Sequence, residues 1–207
     1  MTQSPTHITL IRHGHVHNPD NIIYGRLPGF GLSRVGREQA EAAAQHLRNA
    51  DITALYCSPQ QRAEETALIV LQYHPDLVDN YFEGHPAEEV AARGWDLYTG
   101  VGEGYEMPED IGARAGDFVL RIREAHNGEH VAAVTHGDVI AFTVLWAMHQ
   151  PLHISLKRTL DRFSIADRYP ATASLTTLTY QSDDPDEIPE VAYQRPYGKG
   201  LSPATLS

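Results

Sequence analysis

The chain has a single cysteine, Cys57, in 207 residues. One thiol excludes an intrachain disulfide and any thiolate metal cluster, and its neighbours Leu55 and Tyr56 read as a strand around an inert side chain. Long hydrophobic runs are also missing. The longest, Val139 to Met148, is broken by Thr143 and falls far short of the ~20 residues that cross a bilayer. Met1 to His7 has neither a basic start nor an apolar core, so no secretory leader is expected and a cytoplasmic location is. No internal repeat, heptad pattern or Gly-x-Ser-x-Gly elbow is present. Positive charge is scarce, with 16 Lys and Arg against 27 Asp and Glu and a net charge of −11. An overall basic surface for nucleic acid is therefore excluded, although a small basic pocket is not.

What is present is an ordinary globular composition, 42% hydrophobic and 21% charged, in a length that suits one domain. The apolar run Ile8-Thr9-Leu10-Ile11 empties into Arg12-His13-Gly14, and Val131-Ala132-Ala133-Val134-Thr135 empties into His136-Gly137-Asp138. Each reads as a buried strand ending in a tight loop. Further strands are expected at 54–57 and 174–180. Helices are expected at 34–49, from Ser58-Pro59 to about Tyr73, at 111–124 and at 138–148, with a basic helical segment over 155–163. Ser33 and Ser58 read as helix caps. Alternating strands and helices predict an α/β fold, a three-layer α/β/α sandwich on a mostly parallel central sheet. Residues 1–181 form the expected catalytic domain, with 74–110 (carrying Trp95, Tyr98 and Tyr105) as an insertion that caps the site. Residues 182–207 read as an acidic, Pro-rich tail.

Arg12, His13, Arg62 and His136 each follow a strand, so neighbouring strands would gather two guanidiniums and two imidazoles. Such a cluster calls for an anion, and arginine matches phosphate with paired hydrogen bonds. Free amides after His136-Gly137 add to an anion site. A neutral imidazole is also a nucleophile toward phosphorus. A rival reading takes His13-x-His15-x-His17 as the start of a metal-dependent hydrolase. That reading needs further ligands on later strands and a barrel of ~250 residues, longer than this chain.

These residues carry a resemblance. Arg12-His13-Gly14 with Asn18, the run Leu32-Ser33-Arg34-Val35-Gly36-Arg37-Glu38-Gln39-Ala40, the run from Ser58 to Ala67, and His136-Gly137 together resemble the signatures of the histidine phosphatase superfamily, the phosphoglycerate-mutase-like fold. Glu106 resembles the glutamate before that family's third long helix. The resemblance implies that His13 becomes a phosphohistidine, that Arg12, Arg62 and His136 complete the phosphate pocket, and that Asn18 holds the substrate. It also implies no cofactor and no metal. The family's acid, a glutamate shortly after a leucine, falls on Asp79 in Leu77-Val78-Asp79, with Glu83 in Glu83-Gly84 as the rival. The loop Tyr24-Gly25-Arg26-Leu27-Pro28-Gly29 is similar to loops of dephosphorylating members, which makes Tyr24 and Arg26 candidate substrate contacts beside Gly137. His15 departs from the family's usual Glu or Gln. The implied activity is hydrolysis of a small phosphorylated metabolite. Mutase-type phosphoryl transfer and a catalytically silent phosphate-binding domain are the alternatives. The expected partner is a small phosphate ester, not nucleic acid or membrane, with a homo-oligomer as an open option.

Overall fold

The computed structural model describes residues 4–21, 23–25, 27–82 and 107–201. Most of the expected insertion, with Trp95, Tyr98, Tyr105 and Glu106, lies outside the described residues, as do Arg26 and Glu83. Strand β1 (Thr6–Arg12), helix α1 (Arg34–Leu47), strand β2 (Ile52–Cys57) and helix α2 (Gln61–Leu71) come first. A 3-10 turn (Pro75–Asn80) leads to the short strand β3 (Tyr81–Phe82). Helix α3 (Pro108–Ala125), strand β4 (His130–Thr135), helix α4 (Gly137–Ala147), and strands β5 (Leu175–Tyr180) and β6 (Glu190–Gln194) complete the order.

The sheet has six strands in the order β3-β2-β4-β1-β5-β6. Its centre is apolar on both faces, which is why β1 and β4 read as nearly continuous hydrophobic runs. Side chains alternate between two cores. Ile8, Leu10, Val131 and Ala133 pack with Val119 of α3 and with Ile140, Phe142 and Leu145 of α4. Ile11, Leu55, Ala132 and Val134 pack on the other side with Ala43, Ala44 and Leu47 of α1 and Ala63, Ala67 and Val70 of α2. The result is the expected helix–sheet–helix sandwich.

The expectation of a mostly parallel sheet is imprecise, because the sheet is mixed. Strands β3, β2, β4 and β1 pair in parallel, but β5 runs antiparallel to β1, and β6 antiparallel to β5. The reason lies in the 148–174 connection. It climbs back to the edge where β1 ends, where the Arg12 amide donates to the Ser174 carbonyl at 3.1 Å, so β5 must descend. The basic segment expected to be helical is mostly turns, with only a 3-10 helix at Leu160–Phe163. Its Lys157 is drawn to Asp138 at 3.0 Å and its Arg158 lies over the Tyr169 ring. Residues read as tail form β6, whose Val191 and Tyr193 pack against the core on alternate positions. Among the described residues, no helix is long and apolar enough to cross a membrane.

The register fixes what this sheet can present. Arg12 lies beside Thr135, and Cys57 beside Val134. Two further bonds extend the ladder past the strands, from the His13 amide to the Thr135 carbonyl and from the Ser58 amide to the Val134 carbonyl, both at 2.9 Å. His13, Ser58 and His136 therefore leave three adjacent parallel strands at one edge, the usual ligand edge of an α/β sheet.

The loop after β1 crosses the start of α1 at backbone contact. A Cβ on Gly36 would lie 1.9 Å from the His15 carbonyl oxygen, and one on Gly14 would lie 2.4 Å from the Gly36 carbonyl oxygen. Both neighbours are main chain and cannot rotate away. Gly36→Ala is expected to lower unfolding free energy by about 3 kcal/mol, the upper range for overpacking, and to displace the His13 loop. Urea denaturation checks this, and an unchanged midpoint would refute so close a crossing.

Candidate active site

His13 is buried at the end of β1. Its Nδ1 lies 2.8 Å from the Gly14 carbonyl oxygen. A carbonyl only accepts, so Nδ1 carries the proton and Nε2 keeps its lone pair. Burial is the largest influence on this ring, followed by His136, Arg12 and Arg62, and together they hold its pKa well below the usual value of 6.5 despite the Gly14 contact. His13 is thus neutral near pH 7.

His136 meets His13 edge to face, with ring centroids 5.2 Å apart. Arg62 Nη2 sits 3.4 Å from His136 Nδ1, and Ser58 Oγ sits 2.8 Å from Nε2. Arginine only donates, so Nδ1 accepts and Nε2–H points to Ser58. Burial, then Arg62, then Arg12 push the His136 pKa down to about 3. Ser58 was expected to cap α2. Instead α2 begins later, with Gln60 at its N-cap and no side-chain capping bond, and Ser58 fixes the second imidazole.

The two guanidiniums are braced by neutral groups. Arg12 Nη1 donates to the Pro170 carbonyl at 2.7 Å and its guanidinium lies 5.3 Å from the Tyr169 ring centroid. Arg62 donates to the Gly25 carbonyl at 3.0 Å and to Gln60 Oε1 at 3.2 Å, and it stacks on Tyr24 at 5.1 Å. Tyr24 in turn stacks on Phe30. Thr66, one turn after Arg62, accepts from the Gly14 amide at 3.1 Å and donates to the Arg62 carbonyl at 2.7 Å. This one hydroxyl locks the His13 loop to the Arg62 helix.

A cavity of about 350 Å³ opens beside His13. Arg12, His13 and His15 line it together with Asn18, Asn21 and Tyr24 of the following loop and with Thr172, Arg195 and Tyr197. The structure therefore brings together Arg12, His13, Arg62, His136, Asn18 and Tyr24. Gly137 opens α4 beneath Tyr169, whose hydroxyl oxygen would be 2.3 Å from a Cβ there. His15 is tied down through Nδ1 to Ser33 Oγ at 2.8 Å, while Ser33 also caps α1 through the Gly36 amide. Among the described residues, no three His, Cys, Asp or Glu side chains are grouped to hold a metal ion.

Of the two acid candidates, only Asp79 falls among the described residues. Tyr81 and Phe82 of β3 lie beside Leu55 and Tyr56 of the parallel β2. Asp79 therefore precedes β3, at the amino end, away from the edge that carries His13. Phe82 reaches toward that edge, and Glu83 is the next residue in the chain.

Sequence reasoning missed Tyr169, Arg195 and Tyr197. Nothing local marks them, because their partners lie on distant segments. Thr66 carried a usable signal in its four-residue spacing from Arg62.

The Histidine phosphatase superfamily (branch 1) family model matches residues 8–186. An uncharacterized protein of Mycobacterium tuberculosis is 36% identical over 207 residues, covering 92% of this chain and 96% of its own. The structure of a mycobacterial glucosyl-3-phosphoglycerate phosphatase aligns with a TM-score of 0.64 at 21% identity, covering 92% of this chain and 97% of that one. A phosphoserine phosphatase from Entamoeba histolytica, solved with 3-phosphoglyceric acid, aligns with a TM-score of 0.62 at 17% identity, covering 95% and 99%.

The depressed histidines make stability depend on pH with a definite sign. Above pH 6.5 both folded and unfolded chains leave His136 neutral. Below it the unfolded chain takes up a proton that the folded site refuses until about pH 3, so stability falls across that window by about 1.4 kcal/mol per pH unit for this group. His136→Gln is expected to flatten the acid limb of unfolding free energy against pH, measured in guanidinium chloride. An equally steep limb would show that His136 is not held neutral.

Proposed function

The chain belongs to the histidine phosphatase superfamily, and from that membership we propose that it hydrolyses small phosphate monoesters through a phosphohistidine on His13. The observation that carries this reading is the neutral, Nδ1-protonated His13, held 2.8 Å from the Gly14 carbonyl beside Arg12, Arg62 and His136. A buried imidazole among cations is unfavourable as a proton acceptor but available as a nucleophile toward phosphorus.

In the first step His13 Nε2 attacks phosphorus in line. The Nε2–P bond forms, the ester P–O bond breaks, and the leaving oxygen takes a proton from a carboxylic acid. Arg12 and Arg62 hold the equatorial oxygens, His136 shares that pocket, and the amide end of α4 at Gly137 faces the same edge. In the second step water attacks phosphorus, its proton passes to the carboxylate, and the N–P bond breaks to release phosphate and restore His13. The position of Phe82 beside Tyr56 favours Glu83 over Asp79 as the acid. Asn18 and Tyr24 line the cavity beside His13, which supports a role in contacting the ester's organic part, and Arg26 belongs to the same loop in sequence.

His13→Ala is expected to abolish hydrolysis of p-nitrophenyl phosphate and to trap no labelled phosphoenzyme on acid-free quench. Arg62→Ala is expected to lower kcat by about 10²–10³-fold. Retained turnover in purified His13→Ala protein would overturn the mechanism. With an alkyl ester, a poor leaving group, Glu83→Gln is expected to lose about 10²–10⁴-fold in kcat while Asp79→Asn stays near wild type. The reverse pattern would move the acid to Asp79.

A further inference from the structure

Part of the cavity lining comes from chain that follows the family match. That match ends at residue 186, whereas Arg195 and Tyr197 line the space beside His13. Arg195 leaves the end of β6. Its Nη1 donates to Asp167 Oδ1 at 2.8 Å, and Asp167 Oδ2 accepts from the Tyr193 hydroxyl at 2.7 Å. Asp167 is thereby pinned and holds the guanidinium through one of its five N–H donors. Arg195 keeps 32% of its side chain exposed and faces the cavity, which Asp167 does not line.

Tyr197 lines the same space. It is buried, its hydroxyl donates to the Thr172 carbonyl, and both Arg195 and Arg12 act on its phenol. No Asp or Glu lines the cavity among the described residues. Arg12 already belongs to the phosphoryl group in that reading, so a second permanent cation lining the same cavity has no task in the chemistry at phosphorus. Asp167 neutralises Arg195 in the free protein. An incoming anion then has only to share a guanidinium that is already oriented, which limits the cost of holding the cation there.

We propose that Arg195 is a specificity residue that binds a second anionic group, a carboxylate or a phosphate, on the organic part of the substrate. This rests on the phosphatase reading and narrows it to phosphate esters of acids or to bisphosphates. Arg195→Gln keeps a polar side chain but removes the charge.

The test uses alkyl phosphates of increasing chain length that end in a methyl, a carboxylate or a second phosphate. The wild type is expected to favour an acid-ended ester through a lower KM. Arg195→Gln is expected to raise that KM about ten- to a hundredfold, the loss of a charged hydrogen bond, while kcat/KM for the methyl-ended esters stays unchanged. The carboxylate and phosphate arms tell the two acid groups apart. Equal losses on all esters would assign Arg195 a structural role with Asp167, and a wild type indifferent to the second charge would overturn the proposal. Calorimetric binding of the same esters to His13→Ala protein separates the two readings. An acid preference that Arg195→Gln erases, seen without wild-type turnover, supports the subsite and refutes the phosphatase. Turnover without that preference does the opposite.

Discussion

A neutral imidazole buried against permanent cations is the constraint around which the rest of this protein is arranged. His13 and His136 are both shut away from water and both lie within reach of Arg12 and Arg62. Protonating either would add a charge to a space that already repels it. The Gly14 carbonyl and Ser58 hydroxyl then fix the two rings in opposite tautomers, with the proton on Nδ1 of His13 and on Nε2 of His136. A phosphate dianion reverses the electrostatics at once, because it offers the arginines the countercharge that Arg12 otherwise replaces with a carbonyl and an aromatic face.

Holding that arrangement falls to backbone geometry more than to side-chain charge. Three parallel strands in register bring His13, Ser58 and His136 to one edge. The loop after β1 then turns hard across α1, and only glycine at positions 14 and 36 permits the contact. The Thr66 hydroxyl ties this loop to α2, and so couples the position of the nucleophile to that of Arg62. Gln39 adds a second tie, accepting from the His15 amide at 2.9 Å and donating to the Leu201 carbonyl near the end of the described chain. These hydrogen bonds tie the His13 loop to both α1 and α2.

The parts of this design that were legible in the sequence are those whose determinants are local. Apolar runs ending in His-Gly announced β1 and β4, and the helix periodicities placed α1, α3 and α4 within a few residues. The central site residues followed because strand ends in an α/β sheet converge by rule. What stayed hidden depends on pairing across long separations. Nothing in residues 175–180 says that β5 descends beside β1, because strand direction is set by where the 148–174 connection climbs. Ser58 carries a strong capping pattern with Pro59, yet a hydrogen bond to a histidine 78 positions away outcompetes it. The acidic, Pro-rich composition after Ser182 masked the alternation of Val191 and Tyr193 that builds β6.

That masked strand changes what the C-terminal segment is for. An edge strand needs little more than backbone pairing, and β6 obtains it from β5. Its Val191 and Tyr193 pack against the core, and the cavity-lining Arg195 and Tyr197 follow it in the chain. Tyr193 anchors Asp167 and also accepts from the Ala171 amide at 3.0 Å, which shapes the wall beside Thr172. Arg12, His13 and His136 come from the ends of central parallel strands, where position is fixed by the core. Arg195 and Tyr197 come from the segment after β6, so the two parts of the cavity lining have separate determinants in the chain.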